Sequence, residues 1–330
     1  MLKKKIYPWH NSIYKKIIMY YKNNVINKSI FIYSLKGNGT NVLLKNVSAW
    51  LICKKKKLNN CGLCNDCNLF KTGNHPDYYI IKNNKKNIDI NYINELFNYI
   101  SIKSQENSFK IIYLPKIELF TKLAIYKLIK LLKTNKKKIF FIIKCNKLTN
   151  LILNLKKICF NLNLNPPKEK ISLKWLKQKN NNNNNINEIK TALYLNNYAP
   201  LSANKMLSSN IWQLRKNLYN LIYNELINKN ELFLFEILEL DNLELYIYWI
   251  YTLITDIIKL KYNCKYYIIN KDQEKIIIKL SNIINLDNLF FFIKKLNKLQ
   301  YKIKNIKNIN IKILLIEQFI YFKKIINFLK

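Results

Sequence analysis

Residues 29–53 read SIFIYSLKGNGTNVLLKNVSAWLIC, and their order decides the fold. SIFIYS at 29–34 is a short apolar run, the pattern of a parallel strand buried on both faces. A loop containing Gly37 and Gly39 follows, then a helix over Val42–Ile52 with Val42, Leu43, Val47, Trp50 and Leu51 on one side. Strand, glycine loop and helix are the layout of a phosphate-binding loop. Such a loop ends in a lysine for the phosphates and a hydroxyl for magnesium. Here those places hold Thr40 and Asn41.

Outward from this stretch the pattern repeats. DYYIIK at 77–82 is expected as a strand, and Asp89 caps a helix carrying Ile93, Leu96, Phe97 and Ile100 on one face. FKIIYLP forms a third strand ending at Pro115, KLAIYKLIKLLKT a helix, and KKIFFIIKC a fourth strand. Strands alternating with helices predict an α/β domain with a parallel sheet. The paired prolines in NLNPPKEK (163–170) read as a hinge, and the tract Asn180–Asn185 as a low-complexity surface loop. From about Ile211 the pattern is helical almost to the end. LYIYWIYTLITDIIKL is interrupted by Asp256 and too short to span a bilayer, so it reads as a buried helix. With no secretion signal or span, the expected location is the cytoplasm.

The 330 residues carry a formal charge of +38, which invites a nucleic-acid reading. Arg215 is the only arginine, and the lysines are spread through every segment among Asn and Ile. That distribution fits drift toward A/T-rich codons better than one basic face, and lysine runs at 54–57 and around Lys136–Lys138 read as solvated loops. A free-standing zinc-containing nucleic-acid-binding protein stays open as an alternative. Steep salt dependence of DNA binding by the lone chain would mark it.

Cys53, Cys61, Cys64 and Cys67 form the strongest chemical signal. Two overlapping C-x-x-C steps let a tight turn at Gly62 present sulfurs to one ion, and four thiolates close a tetrahedral shell around Zn²⁺. A closed shell predicts a structural site. An iron–sulfur cluster is a rival occupant, and four free cysteines in a lysine-rich insertion are the plain alternative. His75 reads as a satisfied loop histidine, and Cys145, Cys159 and Cys264 as buried thiols.

Together these residues resemble the delta-prime family of bacterial DNA polymerase III clamp-loader subunits. YPWH at 7–10, CGLCNDCNLFKTGNHPDYYII, SFKIIYLPKIELFTKLAIYKLIKLLKT and NINIKILLIEQFIYF carry the resemblance, which covers nearly the whole chain. It implies an AAA+ α/β domain at 1–165 with the cysteine module at 53–67. A helical lid at 166–209 with the Asn-rich loop and a helical collar at 210–330 would follow. It also implies delta and gamma/tau-type partners, and action on the sliding clamp and primed DNA through the complex.

The nucleotide motifs are degenerate against that pattern. Gly37 and Gly39 keep the loop glycines, while Pro115 and Lys116 stand where an acidic pair should hold magnesium, so no ATP binding or hydrolysis is expected. The alternative of an active gamma/tau-type ATPase is disfavoured by Thr40, Asn41, Pro115 and Lys116. The family's trans-acting arginine falls on Ile158, either lost or replaced by Lys156 or Lys157 reaching across as a point charge without the bidentate fork, and the lid arginine falls on Leu201. No paired acids for two-metal polymerisation are visible, so any polymerase activity belongs to the holoenzyme. The resemblance implies that the last helix, Ile309–Phe322, packs against partner subunits with Leu314, Leu315 and Phe319 buried; the plain alternative is that these residues fill the domain's own core.

Overall fold

The computed structural model describes residues 6–26, 28–81, 87–102, 110–134, 139–179, 185–228 and 243–306, with 310, 313, 314 and 317. The chain divides into two compact units, Met1–Ile171 and Ser172–Lys330.

In the first unit, α1 (Asn11–Lys22) leads into β1 (Ser29–Ser34) and α2 (Thr40–Ile52). Then come α3 (Asn65–Thr72), β2 (Tyr78–Ile80), α4 (Ile90–Ser101) and β3 (Lys110–Leu114). The unit continues through α5 (Lys122–Thr134), β4 (Ile139–Cys145), α6 (Asn150–Lys156) and β5 (Phe160–Leu164). The strands form one parallel sheet in the order β2-β3-β4-β1-β5.

The continuous apolar runs of the central strands have a simple origin. Successive side chains point to opposite faces, and both faces are covered. Phe31, Ile112, Leu114, Phe141 and Ile143 share one core with Ile93, Leu96 and Leu128 of α4 and α5. Ile30, Ile32, Ile111, Tyr113, Phe140 and Ile142 share the other with Tyr14, Leu43, Val47 and Trp50 of α1 and α2. This is the parallel-sheet α/β domain that the alternation of strands and helices predicts. Lys110 lies buried at the start of β3, and its ammonium donates to the carbonyls of Tyr99 (2.6 Å) and Ile102 (2.7 Å). It thereby satisfies acceptors that the end of α4 leaves without helical partners.

Several expectations need adjustment. The strand expected over 77–82 is shorter, Tyr78–Ile80, and Asp89 occupies the cap position of α4 without a side-chain cap bond. β5 was not anticipated, because Asn161 and Asn163 are poor strand formers. They are exposed at the sheet's edge while Leu164 turns inward, so packing overrides propensity. Cys145 and Cys159 are buried as expected, but Cys264 is exposed, following a left-handed Asn263 that ends its helix.

The second unit is helical. α7 (Glu169–Lys179) crosses the division between the units and precedes α8 (Ile186–Leu195), α9 (Pro200–Leu207) and α10 (Asn210–Asn228). α11 (Leu243–Lys261), α12 (Glu274–Ile283) and α13 (Leu286–Asn305) follow. Leu176, Leu193, Tyr246, Trp249, Leu253, Ile277 and Phe292 belong to one apolar core. The second unit begins at Ser172, six residues into the segment expected as a lid (166–209), and takes in the rest of that segment together with 210–330. Leu314 packs half-buried against that core; Leu315, Phe319, Lys136–Lys138 and Asn180–Asn184 lie outside the described residues. Among the described residues no single helix is long and apolar enough to cross a membrane.

Asp256 interrupts the most apolar helix for a reason. Fully buried, it accepts from the backbone N–H of Ile269 (3.0 Å), the backbone N–H of Asn270 (2.8 Å) and the Asn270 amide (2.8 Å). Arg215, also fully buried, donates to both oxygens of Asp272 at 2.6 and 3.0 Å and to Asn270 Oδ1 at 2.7 Å. Its guanidinium carbon lies over the rings of Trp212 and Tyr219, with centroids at 4.8 and 4.6 Å.

Candidate functional site

Cys53 ends α2, Cys61 and Cys64 sit in the following loop, and Cys67 lies in the first turns of α3. All four sulfurs come within 4.8 Å of one another. Cys53–Cys61 is 3.5 Å, Cys61–Cys67 3.9 Å and Cys53–Cys64 4.0 Å. A tetrahedron with metal–sulfur bonds of about 2.3 Å has edges of about 3.8 Å, so this donor set fits one zinc-sized ion. The Cys61 N–H donates to the Cys53 sulfur (3.3 Å) and the Cys64 N–H to the Cys61 sulfur (3.4 Å), orienting the ligands from outside. Backbone N–H groups of Leu63 and Cys64 pull the Cys61 thiol down to about 6, whereas burial pushes Cys53 and Cys67 up. Four such sulfurs cannot all ionise in contact without a cation to balance them.

His75 is buried and accepts from the Asp77 N–H through Nδ1 (3.1 Å). Its Nε2 therefore carries the proton and faces the Asp66 carboxylate at 3.8 Å. Asp66 lies between two of the cysteines, so the HPD segment braces the module without joining its donor set. That matches the satisfied-histidine expectation.

The phosphate loop is tied by its own side chains. Gly37 and Gly39 adopt φ of 87° and 85°, a region costly for any residue with a Cβ, and they let the chain turn sharply into α2. Thr40 is buried and its hydroxyl bonds that of Ser34. Asn38 is fully buried, and its amide donates to the carbonyls of Leu164 and Asn165, both at 3.2 Å. The Trp9 indole donates to the Asn38 carbonyl at 3.0 Å. Asn41 Oδ1 accepts from the Lys144 ammonium (2.8 Å) and the Tyr113 hydroxyl (3.2 Å).

Pro115 and Lys116 follow β3 and offer no carboxylate there. Glu118, one turn on, accepts from the Asn146 side chain at 2.7 Å. Ile158 packs half-buried against the sheet's core, Lys157 is exposed, and Lys156 is half-buried at the end of α6. Leu201 lies half-buried in α9. Lys144, Tyr113, Asn38 and Trp9 were not anticipated. Lys144 alone carried a signal, as the one charge inside the otherwise apolar IFFIIKC.

The family model described as DNA polymerase III, delta subunit, matches residues 9–168, and that for the subunit's C terminal part matches 209–324. Over 328 residues the chain is 36% identical to DNA polymerase III subunit delta' of Buchnera aphidicola subspecies Schizaphis graminum, covering 98% of this chain and 99% of the relative. The subunit of that name from subspecies Baizongia pistaciae is 32% identical over 98% of each chain. A solved gamma subunit-related protein from Thermotoga maritima superposes with a TM-score of 0.45 at 14% identity, covering 94% of this chain and 99% of that one. On full-length kinship, this chain belongs to the family of DNA polymerase III delta' subunits.

Proposed function

We propose that this clamp-loader subunit works as a non-hydrolysing stator, a fixed wall of the AAA+ ring against which ATP-driven neighbours move. One observation carries this. Thr40, standing where the phosphate-binding lysine belongs, is buried with its hydroxyl committed to Ser34, so the loop presents no cation from that position. The degenerate P-loop at Gly37, Gly39, Thr40 and Asn41 then serves as architecture joining β1 to α2. Ile158 supports the same conclusion at the trans-acting position. An aliphatic side chain packed on its own core provides no cation for a neighbour's phosphoryl group.

Partners of this role are delta and gamma/tau-type subunits, with the sliding clamp and primed DNA engaged through the complex in the cytoplasm. The test is calorimetric titration of the isolated chain with magnesium-ATP, alongside reconstitution with delta and gamma subunits. No heat of binding together with incorporation into a clamp-loading complex is expected. Tight magnesium-dependent capture of ATP by the lone chain would overturn the proposal.

Cys53, Cys61, Cys64 and Cys67 are proposed as ligands of one structural Zn²⁺. The ion, when bound, supplies no reaction; it cross-links the end of α2 to α3 and, through Asp66 and His75, steadies the approach to β2. Metal analysis should find one zinc per chain, falling to a residual trace in Cys61→Ser. Equal metal content in the two proteins would exclude the site.

A further inference from the structure

A magnesium-bound triphosphate would need an oxygen ligand at Asn41 and acids across the loop. The residues present do not fit that group. Asn41 Oδ1 is the acceptor there, and what faces it is an ammonium: Lys144 Nζ at 2.8 Å, with the Tyr113 hydroxyl at 3.2 Å. The two donors come from β4 and β3 at the sheet edge from which α2 departs, and Lys144 lies in register with Ile32 of β1. Lys144 is only 8% exposed, so its charge is held in place by the fold and not by solvent. The Glu118 carboxylate and the Lys116 ammonium act on it with opposite sign from the segment after β3, and Cys145 from its own strand.

We propose that the Lys144 ammonium is the resident cation of this loop, a positioning residue that pins the first turn of α2 where a nucleotide-binding relative would use metal and phosphate. The proposal deepens the stator reading and rests on it: a loop locked by its own lysine has one conformation whether or not nucleotide is present. The other ties act on different atoms. Asn38 holds the loop to the end of β5, Trp9 holds the Asn38 carbonyl, and Ser34 holds Thr40. Lys144 with Tyr113 holds Asn41, at the start of the helix.

Hydrogen–deuterium exchange of the full chain, read on peptides covering residues 35–45, tests this. Lys144→Met keeps the aliphatic stem and drops the charge; Asn41→Ala removes the acceptor and favours the helix. Each should speed exchange of the loop by about tenfold, since a hydrogen bond to a charged group is lost, while peptides from β1 and β3 keep their protection. The double variant should be no faster than the faster single one, a coupling that independent packing roles would not produce. Multiplying effects, or a Lys144→Met loop as protected as wild type, would overturn the proposal. Should Lys144→Met lose protection in the strands as well, Asn41→Ala decides: a loosened loop supports the assignment, an unchanged one refutes it. Calorimetric capture of magnesium-ATP by the wild type would refute the stator reading, whatever the exchange shows. An uncoupled loop without nucleotide binding would refute only the role of Lys144.

Discussion

The phosphate loop of the first unit and the Arg215 network of the second both bury polar groups against apolar cores, and they solve the problem differently. The loop uses neutral partners (Ser34 with Thr40, Asn38 with backbone carbonyls) and one ammonium facing an amide oxygen. The network clamps a carboxylate with both arms of a guanidinium and sets that guanidinium over two aromatic rings. Among 57 basic residues Arg215 is the single arginine. Lysine can replace arginine wherever a point charge suffices; it cannot offer a planar fork. The contrast teaches that in a lysine-dominated chain, a rare residue type marks a place where chemistry permits no substitute.

Arg215 is therefore where the comparison can be broken hardest. Arg215→Met leaves Asp272 buried without its partner and should cost about 3–5 kcal/mol. Arg215→Lys keeps the charge but loses one arm and the ring contacts, and should cost about 2 kcal/mol. Urea unfolding followed by tryptophan fluorescence reads both, with Trp212 and Trp249 in the unit's core. A cost below about 0.5 kcal/mol for the lysine variant would show that the fork is dispensable, and the contrast between the regions would collapse.

Acid attacks the other side. His10 follows Trp9, is 1% exposed, and has no hydrogen-bond partner on either ring nitrogen among the described residues. Burial pushes its pKa down from 6.5 to about 4. Between those values the unfolded chain takes up a proton that the folded chain refuses, so stability falls as pH drops through this window. The contribution is fully present above 6.5 and by pH 4 has fallen by about 3 kcal/mol. His10→Leu should flatten that slope in urea titrations at stepped pH, leaving the smaller effect of His75, the other histidine, whose pKa is also lowered by burial. An unchanged slope would mean that His10 reaches water in the native state.

How much of this the sequence displayed depends on which interaction set the structure. The sheet was legible because strands buried on both faces must be apolar throughout, as in SIFIYS and IFFIIKC. The cysteine cluster was legible because thiols at C-x-x-C spacing can converge on one point through a short turn. β5 was not, since FNLNL has the composition of a loop and becomes a strand through pairing with β1. The ties of the loop were also hidden. Lys144 meets Asn41 across 103 positions, and Asn38 meets Leu164 across 126. Local spacing says nothing about pairs that only sheet order brings together. The Arg215 network was half-visible: a lone arginine and an aspartate inside an apolar helix were there to see, but not that Asn270 joins them.

The backbone offers the gentlest test of the same lesson. The chain has four glycines, and all four have positive φ, so glycine too persists where geometry requires it. Among the described residues four others share that conformation: Asn24, Asn197 and Asn263, which tolerate it, and Tyr198 at φ 61°, which does not. Tyr198 ends the turn after α8, its N–H bonded to the Leu193 carbonyl at 2.9 Å, with its ring against Tyr194. A bulky residue held left-handed costs about 1–2 kcal/mol, while glycine adds about 0.5–1 kcal/mol of unfolded-state entropy. Tyr198→Gly should therefore stabilise the chain by about 0.5 kcal/mol in urea unfolding, net of the lost ring contact. A destabilised variant would mean that the Tyr194 contact outweighs the strain, making Tyr198 a residue retained for its ring.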